Sequence, residues 1–199
     1  RSASEYQRAM SVILSENEIM SRLVGDLLTL AWMDSGQLLM KKEPLDLSDI
    51  ALEAVERLVS LAERNKVRLY TGDLPEVIIF GDRKYLHQMV SNLIENGIKY
   101  SGGADKWVRV ETGFVENIIF LRVIDNGPGI SPESLPHLFE RFYRVDEVRS
   151  GEGGAELPSG TGLGLSIVDW IVKAHHGQVN VESARDGGTI FEVRFGVPV

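Results

Sequence analysis

Apolar residues near the start of the chain recur at spacings of three and four. Met10, Ile13, Met20, Val24, Leu27 and Ala31, with the polar Asn17 among them, follow one another as the seam of a coiled coil or helix bundle. The spacing predicts one long helix over about residues 4 to 34. Leu14, Leu23, Leu28 and Leu30 widen its stripe beyond a narrow two-helix seam. No second segment nearby matches it, so the stripe is expected to pack against another chain or an absent helix; the alternative is a helix folded back on the rest of the chain. Asp34-Ser35-Gly36 supplies a stop, with Gly36 at the left-handed cap position.

Beyond it the period changes repeatedly. Residues 37–46 read as a linker with a short strand. Leu47–Asn65 has helical spacing with Ser48 placed to cap it. Short strands are predicted at Lys66–Thr71 and Val77–Phe80, and an amphipathic helix at Asp82–Tyr100, stopped by Ser101-Gly102-Gly103. Trp107–Phe114 and Ile118–Asp125 alternate as the arms of a hairpin. Leu135–Tyr143 is predicted as a short helix and Asp146–Ser159, polar and without period, as a mobile loop. A helix at Leu163–His175 and a second hairpin, Gln178–Ser183 with Thr189–Phe195, complete the chain. Strands that arrive mostly as hairpins favour an α+β fold, a mixed sheet with helices on one face, preceded by the long N-terminal helix.

Composition narrows the chemistry. The 199 residues carry a net charge of −8, which disfavours nucleic acid and anionic lipid as partners. There is no cysteine, which excludes disulfides, thiolate catalysis and Cys-ligated metal. No apolar run reaches the roughly 18 residues of a membrane span, so no membrane contact by this segment is expected.

Three strings carry candidate chemistry. In NLIENGIKYS, Asn92 and Asn96 stand four apart on one helix face, a pair of carboxamides suited to Mg²⁺, and Lys99 can meet a phosphate as a point charge. Alone, the string is weak, since paired asparagines on a helix are usually solvated. In DNGPGI, Asp125 ends a strand that runs through the core. A buried carboxylate needs a donor, such as the exocyclic amine of adenine, while Gly127 and Gly129 permit close backbone approach. The competing reading is a plain surface turn. In SGTGLGLSIV, Gly160, Gly162 and Gly164 leave amides free to face an anion at a helix N-terminus; the competing reading is a glycine hinge.

Together, in this order, the strings resemble the asparagine box and the two glycine boxes of the sensor histidine kinases. Those kinases share an ATPase superfamily with gyrase, the large heat-shock chaperone ATPases and MutL. LFERFYR, Leu138 to Arg144, resembles the family's phenylalanine box, and DGGTIFEVRF its last glycine element. The resemblance covers about residues 37–199 and implies a two-layer α/β sandwich, the Bergerat fold, that binds ATP with Mg²⁺. It implies that Asn96 holds the metal, that Asn92, Lys99 and Arg141 act on the phosphates, and that Tyr100 lies against the nucleotide. It implies that Asp125 accepts from adenine, Gly127 and Gly129 form the floor, and Ile130 packs on the base. Arg144, Gly160, Thr161, Gly162, Leu163, Gly164 and Leu165 would line the phosphate side, and Thr189 would reach adenine through water. Residues 143–160 would correspond to the ATP lid.

The superfamily's hydrolases carry a glutamate at the position of Asn92. A carboxamide cannot act as a general base, which favours transfer over hydrolysis. SENEIMSRLVGDLLTLAWMDSG resembles the second helix of the family's dimerisation and phosphotransfer hairpin, giving domains 1–36 and 37–199. The phosphoacceptor string, of the kind H-E-[LF]-R-T-P, does not occur; His87, His137, His175 and His176 are all expected to be structural or surface residues. The expectation is therefore a cytoplasmic piece of a longer kinase, with anchoring in the inner or plasma membrane an option for the whole. It would self-associate through its first helix, bind ATP without phosphorylating itself, and serve a response-regulator receiver domain. The alternatives are a nucleotide-binding interaction module without kinase activity and a superfamily ATPase or serine kinase. Gly97, where the family usually has alanine, is expected to cost helix stability.

Overall fold

A computed structural model describes residues 6, 10, 13, 17, 20, 21, 23–31, 35, 39–145, 161–183 and 187–197. Leu14, the stop at Asp34 and Gly36, Gly160 and the expected loop Asp146–Ser159 lie outside the described residues. The chain divides into two units, residues 1–39 and 40–199.

In the first unit every described position from 6 to 31 is helical, and this helix is α1. Met10, Ile13, Met20, Val24, Leu27 and Leu28 on it are exposed. Among the described residues no helix is long and apolar enough to cross a membrane.

The second unit runs β1 (Glu43–Asp46), α2 (Leu47–Arg64), β2 (Val67–Thr71), β3 (Ile78–Gly81), α3 (Arg83–Tyr100), β4 (Lys106–Val115), β5 (Ile118–Asp125), a 3₁₀ turn (Leu135–His137), α4 (Gly164–Ala174), β6 (Gln178–Ser183) and β7 (Thr189–Gly196). Five strands form one sheet in the order β2-β4-β5-β7-β6, parallel between β2 and β4 and antiparallel elsewhere. β1 and β3 make a separate antiparallel ribbon. α2 packs on β2 and β4, α3 on β4 and β5, and α4 on β6, while α3 also touches both other helices. This is the expected α+β sandwich, a mixed sheet with helices on one face.

The strand alternation explains which face is covered. Ile119, Leu121, Val123 and Asp125 of β5 and Thr189, Phe191, Val193 and Phe195 of β7 all point under the helices and are buried. Leu86, Met89, Val90, Leu93 and Ile94 of α3 meet them at helical spacing. Each such aliphatic side chain contributes about 1.5–3 kcal/mol by leaving water. The opposite sheet face is polar: Arg122 pairs with Glu192 and Glu111, and Arg194 also pairs with Glu192. At the β4–β5 tip, Glu116 and Asn117 both have positive φ, 49° and 68°, in a two-residue turn whose twist matches its strands.

Two local expectations are corrected. Ser48 does not cap α2. The cap is Asp46, whose Oδ1 accepts from the Ser48 amide at 2.9 Å and the Val77 amide at 3.1 Å. Ser48 instead lies in the first turn and spends its hydroxyl on the Pro75 carbonyl and on Thr112. Leu135–Tyr143 is not a helix beyond the 3₁₀ turn Leu135–His137. Pro136 seeds that turn, and Phe142, at φ +66°, breaks the right-handed path.

Candidate functional site

α4 begins beside the middle of α3, at Asn92, and the end of α3 rests on Gly127; the candidate site lies along this stretch. Asp82 caps α3 at its start, accepting from the Lys84 and Tyr85 amides at 3.0 and 3.4 Å. The helix then carries Asn92, Asn96 and Lys99 along one side to its last turn, while Leu93, Ile94, Gly97 and Ile98 stay buried. Gly97 explains how closely α3 approaches the sheet: a β-carbon there would stand 3.1 Å from Val108 and 3.8 Å from the Asp125 Cβ. The residue expected only to cost helix stability therefore seats α3 over Asp125.

Asp125 is 4% exposed at the end of β5. Its Oδ1 accepts from the Gly127 amide at 2.7 Å, and Thr189, its cross-strand partner, supplies a backbone and a hydroxyl hydrogen bond. Burial nevertheless dominates and pushes its pKa up to about 6, against those hydrogen bonds. Thr189, expected to reach adenine through water, here hydrogen-bonds the carboxylate directly. Asn126 holds the same turn to β4: its Oδ1 accepts from the Trp107 amide at 2.8 Å, and its amide donates to the Asp105 carbonyl at 2.7 Å.

Glycines let the floor close. A β-carbon at Gly127 would fall 2.2 Å from the Tyr100 carbonyl, so the last turn of α3 rests on this residue. Gly129, at φ +75°, faces Ser183, whose hydroxyl accepts from the Ile130 amide at 3.2 Å. Ser183 escaped sequence reading because nothing in QVNVES marks a serine that reaches across to another loop.

The glycine loop meets α3 farther back. The Asn92 amide donates to the Gly164 carbonyl at 3.2 Å. Gly162, at φ +70°, accepts from the Phe142 amide at 3.0 Å, and a β-carbon there would stand 2.8 Å from the Phe142 backbone. Thr161 Oγ1 accepts from the Leu163 amide at 3.2 Å, and Leu163 is fully buried. Gly164 and Leu165 open α4. Lys99 Nζ lies 4.6 Å from the Tyr100 ring centroid. Arg141 is exposed and Arg144 half-buried. Gly160 lies outside the described residues.

The four histidines sit away from these groups or in structural roles. His175 is buried at the end of α4, His87 faces Ser91, His137 pairs with Glu140, and His176 takes a left-handed conformation at φ +58°.

The donor set fits an adenine nucleotide. A buried carboxylate lies beneath the end of α3, and the turn and loop beside it carry glycines in place of side chains. Among the described residues no three acidic or histidine groups cluster as a metal cage. Mg²⁺ carried by phosphates takes only one or two protein oxygens and needs no such cage.

Residues 81–199 match the family described as histidine kinase-, DNA gyrase B-, and HSP90-like ATPase. The probable sensor histidine kinase TcrY of Mycobacterium tuberculosis is 43% identical over 189 residues, 94% of this chain and 37% of that protein. Sensor histidine kinase CusS of Escherichia coli is 38% identical over 94% of this chain and 38% of its own length. The chain thus spans under two fifths of these relatives. Among solved structures, the Acinetobacter baumannii histidine kinase AdeS superposes with a TM-score of 0.76 at 25% identity, over 96% of this chain and 84% of that one. The mycobacterial sensor histidine kinase MprB gives 0.65 at 27% identity, over 80% of this chain and all of that one.

Proposed function

Because the chain belongs to the histidine kinase-, DNA gyrase B- and HSP90-like ATPase family, in its sensor histidine kinase branch, we propose that residues 37–199 hold Mg-ATP for transfer of its γ-phosphoryl group to a histidine. The observation that carries this reading is Asp125, a buried carboxylate with a raised pKa beneath the Gly97 turn of α3. Its free lone pairs suit the adenine amino group, and Thr189 with Gly127 keeps it aimed. Asn96 would present its carboxamide oxygen to Mg²⁺, which supplies charge neutralisation to the phosphates. Lys99, Arg141 and Arg144 would add positive charge, and the amides of Gly162, Gly164 and Leu165 would face the anion.

In the reaction the bond from the γ-phosphorus to the bridging oxygen breaks, ADP leaves, and a P–N bond forms to an imidazole nitrogen. The chain's part is positioning and charge stabilisation. Asn92 has no base to offer water, and its amide is engaged by the Gly164 carbonyl, which favours transfer over hydrolysis. None of the four histidines stands in a phosphoacceptor string, so the chain as given would bind ATP without phosphorylating itself. Residues 1–36 would be the second helix of a dimerisation and phosphotransfer hairpin, and a receiver-domain aspartate would be the final acceptor.

Isothermal titration with a non-hydrolysable ATP analogue and Mg²⁺ tests the reading. Saturable binding is expected, with loss of the Mg²⁺-dependent part in Asn96→Ala and loss of binding in Asp125→Ala. A chain that shows no saturable heat, or variants that bind like the parent, would refute it.

A further inference from the structure

The remote ends of α3 and α4 are joined by a buried imidazole. His175 Nδ1 meets the Ile171 carbonyl at 2.7 Å and so carries the proton there, while Nε2 accepts from the Asp82 amide at 3.0 Å. Asp82 is the cap of α3, and His175 is the C-terminal cap of α4. One neutral ring thus ties the start of one helix to the end of the other. The fit around it is close. A β-carbon at Gly81 would stand 2.9 Å from the His175 ring and 2.6 Å from Leu86, and the Phe195 ring stands edge-on at 6.4 Å.

The chain entering the second unit is fastened to the same junction. The Lys41 amide donates to Asp82 Oδ2 at 2.8 Å, and Lys42 Nζ donates to the Ala174 carbonyl at 2.7 Å. At the start of α4, beside the middle of α3, Asn92 donates to the Gly164 carbonyl. From Asp82 to Asn92 and from Gly164 to His175 each helix spans about 15 Å. α4 is therefore braced to α3 at both of its own ends, with Asn92 at one brace and His175 at the other.

Building on the nucleotide reading above, we propose that His175 is a positioning residue for the phosphate side of the site. It sets the register of α3 against α4, and with it the spacing between the asparagines and the glycine loop, from the pole where the chain enters through Lys41 and Lys42. Its ring must be neutral to accept from the Asp82 amide. Burial favours that form, the Ile171 carbonyl and Asp82 oppose it, and Lys42 and His176 add to it. A shift of the helices by a fraction of an ångström at this junction reaches the site because a packed layer transmits displacement as a rigid body.

The test uses the full chain and reads MgADP affinity together with the NMR resonance of the Asn92 side-chain amide in the absence of nucleotide. His175→Phe fills the volume but offers no acceptor; it is expected to weaken MgADP roughly tenfold or more and to move the Asn92 resonance. His175→Gln, which can accept from Asp82, is expected to restore both. Gly81→Ala keeps the imidazole but crowds it, and is expected to move both readouts in the direction of His175→Phe. Should His175→Phe not fold, Gly81→Ala and His175→Gln decide alone. A folded variant that lowers the melting temperature but leaves affinity within twofold and the Asn92 resonance in place overturns the proposal. A parent chain that binds no MgADP refutes the nucleotide reading instead, and the Asn92 resonance still decides whether the helices are coupled.

Discussion

Asp125 is the residue where stability and binding oppose each other. Its folded pKa of about 6 stands above the ordinary carboxylate value, so the folded state favours the proton. The stability it contributes is fully present below the unfolded value near 4 and is lost as pH rises through 6. Asp125→Asn is therefore expected to raise the stability of the nucleotide-free chain at pH 8 by roughly 1–3 kcal/mol, a gain that shrinks as pH falls below 6. Thermal unfolding across that range checks it, and a pH-independent difference would contradict it. A donor on the ligand stabilises the ionised form, so MgADP binding should release a fraction of a proton at pH 6 and almost none at pH 8. Titration in buffers of different ionisation enthalpy reads this directly. Such a carboxylate costs the empty protein stability, a cost that the proposed ligand would offset.

At the scale of elements, the glycine loop is held open by backbone geometry that only glycine adopts easily. Gly162→Ala forces a β-carbon onto the Phe142 backbone at φ +70°, and should destabilise the chain by about 1–3 kcal/mol while weakening nucleotide binding. An alanine variant that melts and binds like the parent would show that the loop tolerates another conformation. Most elements were legible because their signal is periodic: the alternation in β5 and β7 and the helical stripe of α3 follow directly from which side chains must leave water. What escaped was tertiary. Asp46 displaced Ser48 as the cap of α2 because its carboxylate also serves Val77, thirty-one residues away. Leu135–Tyr143 looked helical by composition but is broken by Phe142, whose backbone answers to Gly162. In the site, Asp125 and the glycines were legible as chemistry, whereas Ser183, Asn126 and the clamp at His175 depend on contacts between distant segments.

At the scale of the whole molecule, the first unit presents Met10, Ile13, Met20, Val24 and Leu27 on an exposed helix. Contiguous apolar surface of this kind drives association. Sedimentation is expected to show concentration-dependent self-association, and Met20→Glu with Leu27→Glu should shift it to monomer without changing nucleotide affinity. A strict monomer at high concentration would contradict the reading. The directions of α3 and α4 carry a further consequence for the second unit. α3 arrives at the cleft with its carbonyl end, and α4 departs from it with its amide end. The site is consequently polarised by the backbone itself, negative beside the last turn of α3 and positive beside Gly164, the sense that the proposed placement of cation and phosphate requires. Because that polarity comes from half-buried peptide groups, dissolved ions screen it less than they screen exposed charges. A nucleotide bound here would keep its orientation at salt concentrations that strip ligands from a surface held by lysines alone.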